Sequence, residues 1–451
     1  MRYVQNTDDD RRDMLAAIGV GSIDELFRAV PAECREAAAE FPFPERLSDL
    51  ELEAHIEGLA ARQVPLSARP SFLGGGLYRH YVPAVVDAIS SRGEFLTAYT
   101  PYQPEASQGS LQAFFEFQSM ICALTGLDVA NSSLYDGATA LAEALLMARA
   151  AAGADARHKI FLSQGIHPEY RETVRTYFAN LPFAIEEIPL AGDGRTPADE
   201  VRKRASEAVA VAFSSPTFFG TIEDARALAR AAREAGAVTV QVFDPISLAL
   251  LAPPGETGVD IACGEGQSLG SPPSFGGPLL GLLAARQSYL RQTPGRLVGR
   301  TKDLSGRTGY VLTLQTREQH IRRERATSNI CTNSGLMALR ATVYLAALGK
   351  EGLRDVARLT LERSRYAADE IAKLPGYALV YPRTPFFREF AVRCPRAASE
   401  VNRALARRGI TGGLDLGRFD PEAADVMLFA VTEVNSPGEI DALAASLREI
   451  A

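Results

Sequence analysis

Two short, largely apolar runs constrain this chain more than anything else in it: Ala208-Val209-Ala210-Val211-Ala212-Phe213 and Val238-Thr239-Val240-Gln241-Val242-Phe243. A strand with one wet face alternates polar and apolar residues. Continuous, largely apolar runs predict strands covered on both faces, the mark of a parallel sheet layered between helices. Ile160-Phe161-Leu162 reads the same way. The two longer runs end in Ser214-Ser215-Pro216 and Asp244-Pro245. Between them an Ala-rich helix is expected from Ile222 to Ala235, closed by Gly236 just past its end. Strand, loop and helix recur from about residue 71 to 320, and open α/β sheets hold ligands in the loops after strand C-termini.

The flanks differ. Residues 1–70 read as short helices, with Ser22-Ile23-Asp24-Glu25 and Ser48-Asp49-Leu50-Glu51 both fitting a capping box. Pro31, Pro42 and Pro44 break this segment into pieces, so it is expected to be an arm rather than a core. A long helix is expected from Ser334 to Leu348, with Leu336, Leu339, Val343 and Ala347 on one face and Gly349 after it. Beyond it come a helix over 353–374 and strands at Phe390–Val392 and Val426–Val431, an α+β pattern. The expected division is an N-terminal helical arm (1–70), a large α/β domain rich in parallel sheet (71–330), and a linker helix with a smaller C-terminal α+β domain (331–451).

Composition excludes several classes. Apolar residues are 46% of the 451 and charged residues 23%, which fits a globular protein and not a disordered or fibrous one. The net charge of −7 gives no footprint for nucleic acid or an anionic membrane. The five Cys show no zinc-ligand or disulfide spacing, so a reducing compartment is expected and no metal. The first residues, MRYVQNTDDDRRDML, lack the apolar stretch of a signal peptide, and no run is long enough to span a membrane. A cytoplasmic location is the expectation.

Five segments have the residue types for chemistry. Ser71-Phe72-Leu73-Gly74-Gly75-Gly76-Leu77-Tyr78-Arg79-His80 carries three consecutive glycines, which suit either close ligand approach or a tight turn. Thr97 to Gly109 places Tyr99, Tyr102, Gln103 and Glu105 in a loop stiffened by Pro101 and Pro104. Asp136-Gly137-Ala138-Thr139-Ala140 opens a helix with free N–H groups, the geometry of a phosphate site, although Asp136 would compete for the same donors as an N-cap. Asp244 follows a strand, where pyridoxal phosphate enzymes place the partner of the pyridine nitrogen, and where a structural cap is equally natural. The fifth segment, Asp260 to Pro278, is where such an enzyme needs its Schiff-base lysine. It has none: no Lys occurs between Lys203 and Lys302. Without an amine the cofactor's aldehyde cannot be held covalently.

Together these stretches resemble the glycine cleavage system P-protein, a glycine decarboxylase, and within that family its N-terminal half, which many bacteria make as a separate subunit. The matching segments are Phe72–His80, Gln103 through Gln118, Asp136–Ala140, Phe218–Gly220 and Gln267–Pro278, in family order. The resemblance implies fold-type I of the pyridoxal phosphate enzymes, with glycine as substrate. It implies a heteromeric glycine dehydrogenase in which subunit 2 holds the pyridoxal phosphate. The aminomethyl group would pass to the lipoyl arm of the H-protein. Gln267 then stands where the catalytic half of the family has its lysine, so no catalytic or cofactor-binding residue is expected in this chain alone. The expected contributors to the partner's substrate pocket are Tyr99, Tyr102, Gln103 and Glu105, followed by Ser71 and His80. The rival expectations are a purely structural partner and an independent aminotransferase-like enzyme, the latter disfavoured by the missing lysine.

Overall fold

A computed structural model describes residues 5–39, 44–152 and 157–450. Pro42 and Met1 to Val4 lie outside the described residues. The chain divides into two compact units, Met1–Pro65 and Leu66–Ala451.

The first unit holds the helices Asp8–Ile18, Ile23–Leu26, Ala32–Ala39 and Asp49–Ala60. Ser48 and Glu51 form the expected capping box: Ser48 N donates to Glu51 Oε2 at 2.8 Å, and Glu51 N donates to Ser48 Oγ. At Ser22 the box is only half made. Its hydroxyl accepts from Glu25 N, but the Glu25 carboxylate reaches back one residue further and accepts from Gly21 N.

The second unit is built on seven strands: β1 (Val129–Ala130), β2 (Lys159–Ser163), β3 (Ala184–Ile188), β4 (Ala208–Ser215), β5 (Val238–Phe243), β6 (Ile261–Glu265) and β7 (Gly281–Ala285). Their order across the sheet is β1-β7-β6-β5-β4-β2-β3. Pairings from β3 through β6 are parallel. β7 runs antiparallel to β6, because the loop 266–280 returns directly without a crossover helix. All eight residues of β4 are buried, which is why that run shows no alternation. The helices Ala225–Glu234 and Ala198–Ala205 cover Val211 and Phe213 on one face, and the helix Gly137–Ala152 covers Ala210 and Ala212 on the other. Burying a side chain of the size of Phe213 stabilises the fold by about 1.5–3 kcal/mol.

A hairpin of β8 (Leu297–Lys302) and β9 (Thr308–Thr313) follows. The helical stretch Gly335–Ala372 breaks at Gly349, whose φ of 60° and ψ of −171° turn the chain where a stop is expected from the sequence. Its second half packs with a four-stranded antiparallel sheet, in the order β10 (Ala378–Leu379), β11 (Glu389–Arg393), β13 (Val426–Ala430), β12 (Leu414–Asp415), around Phe390, Met427 and Phe429. Among the described residues, no helix is long and apolar enough to cross a membrane.

A candidate active site at the strand C-termini

Parallel strands that end together place their last residues around one crevice. β4 ends at Ser214 and Ser215, β5 runs into Asp244, and β6 ends at Glu265. The glycine loop supplies Gly76 and Tyr78, the helix Pro168–Phe178 supplies Tyr170, and the turn into β11 supplies Arg388 and Glu389. This cavity holds about 80 Å³, against about 430 Å³ for an apolar cleft beside residues 95–101, so the crevice is tightly filled.

Arg388 fills it. Its guanidinium pairs with Asp244 Oδ2 and lies over the Tyr78 ring, 3.2 Å from the centroid. Burial opposes the charge, but Asp244, Tyr78 and Glu389 outweigh it and raise the pKa. The other Asp244 oxygen accepts from Ser247 N at 2.7 Å, so Asp244 also caps the next turn. Arg388 Nη1 lies 3.3 Å from His80 Nε2, and His80 Nδ1 lies 2.7 Å from Glu433 Oε2. If Arg388 donates to Nε2, the imidazole proton sits on Nδ1, facing the carboxylate. The backbone at Arg388 has φ of 63°, a conformation a long side chain adopts only when its surroundings hold it there. Beside it, Glu389 accepts from Tyr78 Oη and Gly75 N, both at 2.7 Å.

Glu265 fills the other end. Its Oε2 accepts from Gly137 N at 2.9 Å, at the start of the helix Gly137–Ala152, and its Oε1 accepts from Gln267 N and Leu280 N at 2.9 and 3.0 Å. Burial pushes its carboxyl up to about 7 against the pull of those amides. Asp136 caps the same helix through Thr139 N, at 2.8 Å. A Cβ on Gly137 would lie 2.3 Å from Tyr170 Oη, so no larger residue fits there.

Gln267 is 1% exposed. Its Oε1 accepts from Tyr78 N and its Nε2 donates to Tyr78 O, both at 3.0 Å, and also to Ser271 O at 2.5 Å. A bound pyridoxal phosphate needs an amine, a free anion cradle and a free acid for its ring nitrogen. Here the loop after β6 offers the Gln267 amide, the helix N-terminus at Gly137 holds a carboxylate and Asp244 holds a guanidinium. The residues do not fit the cofactor.

The loop 97–109 lies elsewhere, between the helices Gly93–Leu96 and Gln108–Thr125. Tyr99 is 87% exposed and lines the apolar cleft with Pro101, Phe114 and Asn333. Tyr102 is half exposed. Its hydroxyl accepts from Arg296 Nη2 at 3.3 Å, and the guanidinium carbon lies 5.4 Å from its ring centroid. Arg296 is buried and also donates to Thr332 Oγ1, Asn333 Oδ1 and Cys331 O, each at 3.1 Å. Gln103 and Glu105 are exposed. Ser71 and His80 line neither cavity: the Ser71 carbonyl accepts from Asn435 Nδ2, and His80 lies behind Arg388. Of the six expected residues, Tyr99 alone lines the cleft; Tyr102 lies beside it on Arg296, and Ser71 and His80 lie apart. The sequence reading assigned no role to Arg296, Arg388 or Glu265. The available signals were a charged pair inside Phe386-Phe387-Arg388-Glu389-Phe390 and a lone carboxylate at a strand end, two residues before Gln267.

The profile of the glycine cleavage system P-protein family matches residues 1–447. A protein of Moorella thermoacetica named probable glycine dehydrogenase (decarboxylating) subunit 1 is 50% identical over the full length of both chains. A crystal structure of the glycine decarboxylase P-protein in inhibitor-bound form superposes with a TM-score of 0.90 and 45% identity, covering both chains completely. The sphingosine-1-phosphate lyase of Burkholderia pseudomallei, at 19% identity, shares the fold with a TM-score of 0.67 over 91% of this chain and 93% of that one. The fold is that of the fold-type I pyridoxal phosphate enzymes.

Proposed function

The chain belongs to the glycine cleavage system P-protein family, and from that premise we propose that it is subunit 1 of a heteromeric, cytoplasmic glycine decarboxylase. In this reading pyridoxal phosphate sits in the partner, subunit 2, where it supplies an electron sink for loss of the glycine carboxylate. The aminomethyl product passes to the lipoyl arm of the H-protein. The single observation that carries the reading is Gln267. The loop after β6 presents a buried, three-fold hydrogen-bonded amide where the fold requires a free amine.

The part left to this chain is to shape the partner's pocket and exclude water. Release of CO2 needs the carboxylate held in one orientation, and rigid polar side chains supply that. Tyr99, Tyr102, Gln103 and Glu105 are the proposed contributors. Tyr102 is the best held of them, because buried Arg296 fixes both its ring and its hydroxyl. Ser71 and His80 are proposed only as supports, through the glycine loop that joins the two sheets.

The test is reconstitution. Exchange of labelled CO2 into glycine is measured for this chain, for subunit 2 and for the mixture, each with H-protein and added cofactor. Activity in the mixture alone is expected. Full exchange by this chain alone, or by subunit 2 alone, would sink the reading.

A further inference from the structure

We propose that this chain carries its own substitute for the cofactor. The Glu265 carboxylate sits at the helix N-terminus where the fold takes a phosphate, Arg388 sits on Asp244 where it takes a ring nitrogen, and Gln267 replaces the lysine. The missing lysine alone would leave a cavity able to hold the cofactor without a covalent bond. The geometry shows more than that. A helix N-terminus favours an anion, and Glu265 provides one that accepts from Gly137 N, Gln267 N and Leu280 N. The acid at the end of β5 favours a cationic N–H group, and Arg388 provides one, flat over an aromatic ring. The filled space is continuous, since Glu265, Gln267, Tyr78 and Arg388 all line the same small cavity.

The substitute also joins parts that a cofactor would otherwise bridge. Asp244 and Glu265 end strands of the large sheet, Tyr78 and His80 belong to the glycine loop, and Arg388 and Glu389 lead into the small sheet. Hydrogen bonds and ion pairs run without a gap from Glu433 through His80, Arg388 and Asp244, and from Gly75 through Glu389, Tyr78 and Gln267. A cofactor cannot enter unless two charged side chains leave together, which makes the loss of cofactor binding independent of position 267.

The experiment uses the full chain and pyridoxal phosphate, with no glycine and no partner, so its outcome is read separately from the exchange assay. The wild type, the Gln267→Lys variant and the Gln267→Lys/Glu265→Ser/Arg388→Ala variant are titrated by absorbance. The adducts are then reduced with borohydride and mapped. A saturable imine at position 267 is expected in the triple variant, with at least about tenfold weaker binding or none in the single variant. Equal affinity in the two would overturn the proposal, because the plug would then be immaterial. Should the triple variant fail to fold, the Glu265→Ser chain decides with inorganic phosphate as probe. Phosphate is expected to raise its unfolding midpoint and not that of the wild type. A rise in the wild type, or none in Glu265→Ser, would overturn the assignment of the cradle.

Discussion

Gln267 and Tyr78 hydrogen-bond to each other as two strands of a sheet do: the side-chain oxygen accepts from the Tyr78 amide and the side-chain nitrogen donates to the Tyr78 carbonyl, both at 3.0 Å. The Gln267 side chain is thus part of the backbone pairing of the glycine loop. Replacing Gln267 by Leu keeps the volume but takes this partner from one N–H, that of Tyr78, and from two C=O groups, those of Tyr78 and Ser271. Each such group costs about 1–3 kcal/mol. Gln267→Leu is therefore expected to lower stability by at least about 3 kcal/mol, read as a shift in the urea midpoint. A midpoint unchanged from wild type would show that Gln267 does not hold the loop.

The Asp244–Arg388 pair is almost wholly buried, at 13% and 4% side-chain exposure. Removing one charge strands the other. Arg388→Met is expected to destabilise by about 3–5 kcal/mol, and Asp244→Leu/Arg388→Met by less than either single change, because neither charge is then left alone. Denaturation of the four chains in a double-mutant cycle checks this. Additive losses would mean that the two residues do not act as a pair.

Gly220 carries the same clamp from below. Its φ is +85°, and a Cβ there would lie 1.8 Å from the Glu389 carbonyl oxygen, next to Arg388. The neighbour is backbone and cannot swing away. Gly220→Ala is expected to cost more than about 2 kcal/mol and to loosen Arg388 as well, seen as faster hydrogen exchange over 386–390. Wild-type stability in this variant would show that the segment adapts.

Three buried carboxyls give the fold an unusual pH response. Burial pushes Glu143, Glu223 and Glu265 each up to about 7 from 4.5. Between those values the folded chain binds protons that the unfolded chain has released. Their contribution to stability is thus complete below about pH 4.5 and is lost as pH rises to 7, at up to about 1.4 kcal/mol per pH unit for each group. Glu143 is the cleanest case, because its Oε2 has no hydrogen-bond partner among the described residues. Glu143→Gln is expected to reduce the slope of stability against pH between 5 and 7, measured by denaturation across that range. An unchanged slope would mean that Glu143 is ionised in the fold.

Much of the architecture was legible because it is local. β4 and β5 follow from largely apolar runs, the break in the long helix from Gly349, and the cap at Ser48 from a four-residue spacing. At the crevice the sequence shows only that Lys is missing near 267, since an absence needs no partner to be seen. Arg388 and Asp244 lie 144 positions apart, and nothing in either stretch records the other. β7 was missed as an antiparallel strand because direction depends on the path of the loop before it, not on its own composition. Glu265 stood in view, but its three donors come from Gly137, Gln267 and Leu280 and meet only in the fold.

Tyr102 offers the last discrimination, between a chain that only supports its partner and one that shapes the reacting pocket. Arg296 holds Tyr102 by its hydroxyl at 3.3 Å and by its ring face, while more than half of the side chain remains open to whatever docks there. Truncating an exposed, singly anchored ring removes little burial, so Tyr102→Ala is expected to change stability by under about 1 kcal/mol. A positioning group lost from a reaction that depends on orientation costs about 10- to 100-fold in rate. The complex containing Tyr102→Ala is therefore expected to assemble as the wild type does and to exchange CO2 with glycine about 10- to 100-fold more slowly. Tyr102→Phe keeps the ring over Arg296 and should fall between the two. Assembly is read by size-exclusion chromatography with subunit 2, and exchange by labelled bicarbonate. Intact assembly with full exchange would leave this chain a structural partner and nothing more.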